Sequence, residues 1–309
     1  MSKRFLSSLL QAPRALRSEG NIVIKNGLMV SNSKFASVWK ADYSKRVNKI
    51  VFEDEVESLP EGVNPGLYNE YFKFMNSTKL KDLGAILPRK SLLHTFLQKI
   101  QNKEEFELGL KLLERWRKHY VLPLSERTTW ILLSKCQYLN DPEPLTRVLL
   151  DRWRYKAFPT DYIYTSIFKL ISNSIHDLIA IEGQESELAN KYLDDLFRLF
   201  ASIPQYNLEQ GAWAYSSLIT SLVDSGMEEG WVRAVQVAEE AMVDSIPPKI
   251  NYEAALKLQE EYAKRGDSTN SNVYKEMISN YNLKPKEPTH VAFDEEGRMY
   301  YKPIAKKTN

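Results

Sequence analysis

Two short runs of arginine and tryptophan carry the side chains best suited to bind a ligand in this sequence. Residues 115–118 read Arg-Trp-Arg-Lys, and residues 152–156 read Arg-Trp-Arg-Tyr-Lys, 37 positions later. Guanidinium groups match the geometry of phosphate oxygens, so the runs predict a ridge that contacts phosphate. In the alternative interpretation, the same cations only stabilise the C-terminal ends of helices. The candidate phosphate contacts are Arg115, Arg117, Lys118, Arg152, Arg154 and Lys156.

No arrangement of catalytic or metal-binding residues stands out. The four histidines do not occur at the helical spacing of paired metal ligands: His94, His119, His176 and His290. The sequence has no glycine-rich phosphate loop and no serine elbow between glycines. The single cysteine, Cys136, cannot form an internal disulfide, and it excludes a zinc site built from several thiolates. We therefore predict a protein that is not an enzyme and that binds no metal or cofactor.

Positive charge is concentrated at the N-terminal end of the chain. Residues 1–50 carry a net charge of +8, whereas the remaining 259 residues carry −6. Residues 1–18 contain no acidic residue, and their leucines and Phe5 can form one face of a short helix. This pattern is typical of a mitochondrial import sequence, so we predict a targeting segment at residues 1–20 and a location in the mitochondrial matrix. The alternative is a disordered basic tail that binds an acidic partner.

Two further segments are predicted to be extended arms. Residues 21–88 mix short strand-like pieces with an acidic cluster at residues 53–61, and they are interpreted as an extended lead-in. Residues 284–309 are interpreted as a basic tail that becomes ordered only within a complex. The cations of that tail are Arg298, Lys302, Lys306 and Lys307. No apolar run in the sequence approaches the ~20 residues that a membrane-spanning helix needs.

Residues 89–283 show the apolar period of amphipathic helices. In residues 103–119, for example, Phe106, Leu110, Leu113 and Trp116 recur every three to four positions. Three later stretches of this region show the same spacing, and none shows the sustained alternation of a strand. The sequence therefore predicts an all-α fold.

The helical region also repeats itself. Pro88, Pro123, Pro159, Pro204 and Pro247 are spaced by 35, 36, 45 and 43 residues, which leaves room for two helices between successive prolines. The arginine–tryptophan runs belong to a direct sequence repeat, in which Leu-Leu-Glu-Arg-Trp-Arg is followed 37 residues later by Leu-Leu-Asp-Arg-Trp-Arg. Their tryptophans, Trp116 and Trp153, are expected to fill gaps between helices. Repeated helix pairs must stack to bury their apolar faces, which predicts an irregular α-solenoid of about five helix pairs.

Three segments of the sequence resemble the pentatricopeptide repeat family. Residues 234–242 (Ala-Val-Gln-Val-Ala-Glu-Glu-Ala-Met) end a helix, Pro247 follows, and residues 251–256 (Asn-Tyr-Glu-Ala-Ala-Leu) begin the next one. Related patterns occur at residues 213–219 and around Tyr164. The resemblance covers roughly residues 88–283, and it is weaker between Pro88 and Pro159.

The resemblance implies that single-stranded RNA is read by the residue that follows the helix tyrosine of each repeat. Those positions are Thr165 and Ser216, whose types the family uses, with Thr129 in a degenerate copy. Glu253 departs from the family pattern, because its carboxylate would repel the phosphates of RNA. The alternative interpretation of all four positions is an ordinary polar helix surface.

Between Pro88 and Asn173 the sequence has, in order, Asn-Lys-Glu-Glu at residues 102–105, a Trp-Arg-rich helix end, a Thr-Trp helix, and an Ala-Phe-Pro turn at residues 157–159 before a Tyr-rich helix. This order of features is similar to that of the pentatricopeptide-type proteins of the mitochondrial small ribosomal subunit. The resemblance implies a structural component of that subunit, which supports mitochondrial translation and has mitochondrial rRNA and small-subunit ribosomal proteins as its partners. The alternative is a free mitochondrial RNA-binding factor that activates or stabilises one transcript. A solenoid that binds only protein is a third possibility.

Overall fold

The structure is a computed structural model, and it describes residues 59–78, 88–119, 124–243, 246–287 and 289–303. Helices make up 71% of these residues, which confirms the mainly helical fold that the sequence predicts. The predicted targeting segment at residues 1–20, the lead-in up to residue 58, and Lys306 and Lys307 of the tail lie outside the described residues.

The described residues form twelve α-helices, one short 3-10 helix and one β-hairpin. The first six helices are α1 (Pro65–Ser77), α2 (Lys90–Lys99), α3 (Lys103–His119), α4 (Glu126–Leu139), α5 (Glu143–Leu150) and α6 (Arg152–Tyr155). The others are α7 (Asp161–Glu182), α8 (Glu187–Ser202), α9 (Ala212–Asp224), α10 (Glu228–Val243), α11 (Tyr252–Lys264) and α12 (Ser268–Asn280). The 3-10 helix Ile203–Tyr206 follows α8, and the hairpin strands are β1 (Thr289–Phe293) and β2 (Met299–Pro303).

The helices pack in an order that follows the chain. Helices α2, α4, α7, α9 and α11 contact one another in that sequence, and each also contacts the helix that comes after it. Their apolar side chains form one continuous core, in which Tyr164, Phe96 and Phe106 are among the largest fully buried residues. Each pair therefore covers apolar surface of the next.

Polar side chains at the loops determine where several helices begin. Asn64 Oδ1 accepts a hydrogen bond from Gly66 N at 2.8 Å, and Pro65 occupies the first helical position of α1. Asn251 Oδ1 accepts one from Ala254 N at 3.0 Å at the start of α11. These caps satisfy backbone donors that have no partner within the helix.

Helix α1 corrects the prediction of an extended lead-in over residues 21–88, because residues 65–77 are helical. The helix packs against α2 and α3, and it buries Leu67 and Tyr71. Glu105 on α3 fixes its start, since one carboxylate oxygen accepts from Asn64 N at 3.0 Å and the other from Gln101 N at 2.7 Å. The lead-in thus enters the core at α1.

The hairpin corrects the prediction of an extended C-terminal arm. Strands β1 and β2 pair in antiparallel fashion, and Gly297 supplies a positive φ of 81° in the turn between them. The hairpin packs on α4 and α7: the rings of Trp130 and Phe293 lie 5.4 Å apart, and Tyr301 Oη donates to Asp161 Oδ1 at 2.7 Å. Residues 289–303 are therefore held by this chain's own helices.

Protonation of His94 is expected to destabilise the fold. Its Nε2 lies 2.8 Å from Thr128 Oγ1, where α2 meets α4. Burial, together with the positive charges of Arg127 and Lys90, lowers the pKa of His94 from the ordinary 6.5 to about 4. Because the unfolded chain binds the proton more readily, this stability is complete above about pH 6.5 and is lost as the pH falls toward 4.

Urea unfolding at pH 7.5 and pH 5.0 checks this expectation. Between the two pH values, the native chain should lose about 1 kcal/mol more stability than His94→Gln, a figure reduced from the full linkage value because the ring is partly solvated. His290→Gln, on the exposed face of the hairpin, is the matched control and should behave like the native chain. An equal pH dependence in His94→Gln would contradict the assignment.

Candidate nucleic-acid interface

The two arginine–tryptophan runs are alike in sequence but differ in structure. Helix α3 continues unbroken through the first run, where Arg115 and Trp116 are only 6% and 4% exposed. In the second run α5 ends at Leu150, and the one-turn helix α6 begins at Arg152. Trp153 is 86% exposed there, so the prediction of a tryptophan that fills a gap between helices is confirmed for Trp116 and wrong for Trp153.

The cause of this divergence is the exchange of glutamate for aspartate between the two runs. Asp151 leaves the helical conformation (φ −106°, ψ 70°), and its Oδ1 accepts a hydrogen bond from Arg154 N at 3.0 Å. The short aspartate side chain can cap a new helix in this way, whereas glutamate favours the interior of a helix. The break turns Trp153 outward and places Tyr155, which is 3% exposed, toward the core.

Arg115 has a structural position, and the prediction of a phosphate contact is wrong for this residue. Its guanidinium donates to Thr78 Oγ1 at 3.1 Å, to Met75 O at 3.3 Å and to Thr78 O at 3.4 Å. These acceptors lie at the C-terminal end of α1, where backbone carbonyls lack helical partners. Arg115 therefore joins α1 to α3. The backbones of Arg117 and Lys118 continue α3, and their side chains lie outside the described part of the chain.

The cations of the second run lie at the surface. Arg154 Nε donates to Glu114 Oε2 at 2.7 Å, which joins α6 to α3. Arg152 Nη1 donates to Gln205 O, and its guanidinium lies 5.5 Å from the centre of the Tyr206 ring. Lys156 is exposed at the C-terminal end of α6, with a left-handed backbone (φ 49°). This run keeps its cations near solvent, unlike the first run with its buried Arg115.

The positions implied for reading RNA do not share one surface. Ser216 is 1% exposed, and its Oγ accepts from Asn251 N at 2.7 Å. Thr129 is also 1% exposed, and its Oγ1 accepts from Phe158 N at 3.2 Å. The prediction of an RNA contact is wrong for Ser216, because its hydroxyl faces the start of the next helix rather than solvent.

The two remaining positions are exposed but also have partners within the chain. Thr165 Oγ1 lies 3.0 Å from Ser217 Oγ, which joins α7 to α9. Glu253 Oε1 accepts from Lys286 N at 2.9 Å. Equivalent positions in the sequence pattern thus face different surroundings.

Other kinds of site were sought in the part of the chain that the structure describes. No three His, Cys, Asp or Glu side chains there come together as metal ligands would. None of the described helices combines the length and the apolar character needed to cross a membrane. No protein-family model matches the chain, and a search of curated proteins gives no significant match.

Replacing Arg115 should destabilise the protein far more than replacing an exposed arginine. Arg115→Ala leaves buried acceptors at the end of α1 without their donor, which should lower the free energy of unfolding by about 2–3 kcal/mol. Arg154→Ala, the matched control, breaks a partly exposed ion pair with Glu114 and a contact with the Tyr155 ring, and it should lower the free energy of unfolding by less than ~1 kcal/mol. Urea unfolding measures both, and equal losses would contradict the structural position of Arg115.

A second pair of variants distinguishes a structural hydroxyl from an exposed one. Ser216→Ala removes the acceptor of Asn251 N and should lower the free energy of unfolding by about 1 kcal/mol or more. Thr165→Ala removes a hydroxyl contact at the surface and should change it by less than ~0.5 kcal/mol. If thermal unfolding shows no loss in Ser216→Ala, its hydroxyl does not hold α9 to the start of α11.

Proposed function

We propose that the protein is a structural component of the mitochondrial small ribosomal subunit, where it supports translation in the mitochondrial matrix. In this proposal its helices form an irregular α-solenoid of the pentatricopeptide type. The successive contacts of α2, α4, α7, α9 and α11 support that arrangement, since stacked pairs bury their apolar faces on their neighbours. The proposed partners are mitochondrial rRNA and the ribosomal proteins of the small subunit.

One observation favours an assembly component over a free RNA-binding factor. The hydroxyls that would read successive bases are engaged within the chain: Ser216 and Thr129 are buried, and Thr165 contacts Ser217. A factor that recognises one transcript needs several such positions open along one surface. A protein docked in a large particle needs only surfaces that fit its neighbours.

The distribution of charge supports the same choice. The net +8 of residues 1–50 contrasts with the −6 of the rest of the chain, so attraction to RNA is concentrated in the N-terminal arm. In the hairpin, Arg298 forms ion pairs with Asp294 and Glu296, both at 2.8 Å. A basic N-terminal segment and a remainder of opposite net charge suit a component that binds folded rRNA through that segment.

Sedimentation of a mitochondrial lysate tests the proposal. Most of a tagged full-length protein should sediment with small-subunit rRNA and not with large-subunit rRNA, and it should remain there at moderate salt. Depletion should lower the amount of small subunits and reduce all mitochondrial translation products together, because a structural component serves every transcript.

Two outcomes would contradict the proposal in different ways. Loss of one transcript or one product, with small subunits intact, would identify a free RNA-binding factor instead. The import step has a separate control, in which residues 1–30 are fused to a reporter protein. Cytosolic retention of that fusion would contradict the mitochondrial location without reference to the ribosome.

A further inference from the structure

We propose that Trp153 is a stacking platform for an unpaired base of single-stranded RNA, and that the cations beside it contact the phosphates of the same strand. The inference rests on the proposed function in so far as that function places the chain against rRNA. It names a contact residue that the pentatricopeptide pattern does not include, on α6 rather than on a helix that carries a predicted base-reading position.

The exposure of Trp153 distinguishes it from the other tryptophans of the described residues. Trp116 and Trp231 are buried, and Trp130 and Trp213 are half-buried, whereas Trp153 is 86% exposed. An indole is a large apolar side chain, and leaving it in water forgoes the stability that its burial would give. The fold places this ring outside the core even though the other copy of the run buries its tryptophan.

The backbone beneath the ring is held on several sides. Asp151 caps α6, Arg152 donates to Gln205 O, and Arg154 donates to Glu114 Oε2 at 2.7 Å. Tyr155 anchors the same turn in the core. A contact residue on such a support loses little conformational freedom on binding, which favours affinity.

The surroundings of the ring favour RNA over an apolar protein pocket. Arg152 and Arg154 flank Trp153 directly, and Lys156 follows three residues later. Two carboxylates lie nearby: Asp151 accepts a hydrogen bond from the backbone of α6, and Glu114 pairs with Arg154. The three cations around Trp153 outnumber these two carboxylates, so their summed charge is positive. Bases stack on aromatic rings whatever their sequence, and cations beside the ring attract the phosphates that join those bases.

The N–H donors of Arg152 allow it to bind a phosphate of the RNA strand. A guanidinium carries five N–H donors, and the bond to Gln205 uses one of them. Its position over the Tyr206 ring orients the group beside α6. Lys156 adds an exposed ammonium at the other end of the same turn. A strand whose base lies on Trp153 therefore has Arg152 and Lys156, at the two ends of the same turn, available for its phosphates.

Two RNA analogues of equal length separate stacking from charge attraction. One is a fluorescent ten-nucleotide oligouridylate, and the other is an abasic ribose-phosphate strand of the same length and charge. The full-length protein should bind the oligouridylate about tenfold more tightly than the abasic strand, because only the former offers bases to stack. Trp153→Ala should lose this preference, and Trp153→Phe should retain part of it.

The matched control is Tyr138→Ala. Tyr138 on α4 is 70% exposed, and the ammonium of Lys135 lies 5.3 Å from its ring centre, so it resembles Trp153 as an exposed aromatic residue beside a cation. This variant should keep the preference for oligouridylate. Arg152→Ala and Lys156→Ala should instead weaken binding to both strands and reduce the salt dependence of binding, by about 0.7 in the logarithmic slope for each phosphate that the variant no longer neutralises.

The outcomes distinguish this inference from the proposed function. An unchanged preference in Trp153→Ala, or no preference in the native protein, would overturn the stacking platform even if the protein sediments with the small subunit. A loss of sedimentation in Trp153→Ala with RNA binding unchanged would also overturn it and would indicate a protein neighbour over the ring. Loss of the preference in a protein that does not sediment with ribosomes would support the platform and reject the ribosomal assignment.

Discussion

A helix pair in this chain has an apolar face that only a neighbouring pair can cover, and the remaining features of the fold depend on this constraint. Close packing also removes from water the backbone N–H groups just before the first helix of the following pair, and these donors need acceptors. Hydroxyls on the first helix of the preceding pair supply them: Thr129 on α4 accepts from Phe158, and Ser216 on α9 accepts from Asn251. The positions that a pentatricopeptide protein would turn toward RNA here hold one helix pair to the next.

The helices of residues 89–283 could be predicted from the sequence because their apolar period is strong and the packing follows it. Helix α1 could not, since only Leu67 and Tyr71 are buried over its 13 residues and its end depends on Arg115, which lies far along the chain. The hairpin could not be predicted for the same reason, because Trp130 and Asp161 hold it from helices more than a hundred residues earlier. Local patterns carry no information about such distant partners.

At the candidate interface, the sequence predicted phosphate contacts, and it did not predict how the side chains are placed. The two runs share Arg-Trp-Arg, and similarity alone suggests equivalent positions. The difference lies one residue earlier, where Asp151 replaces the Glu114 of the first copy and caps a new helix. A carboxylate shorter by one methylene thereby changes a buried tryptophan into an exposed one. The preference of aspartate for helix N-caps was the signal that could have revealed this.

The hairpin also affects how the molecule unfolds. A simple array of repeats is close to one-dimensional, and its ends can fray independently because each repeat contacts only its neighbours. Here the backbone of Met299 donates to the side chain of Glu126, 173 residues earlier, and Tyr301 reaches Asp161 across 140 residues. Helices α8 to α12 lie within the loop that these contacts close, so their unfolding is coupled to the middle of the chain. These contacts can form only after residues 299–301 have been synthesised, long after Glu126 and Asp161, which makes the hairpin a late element in folding.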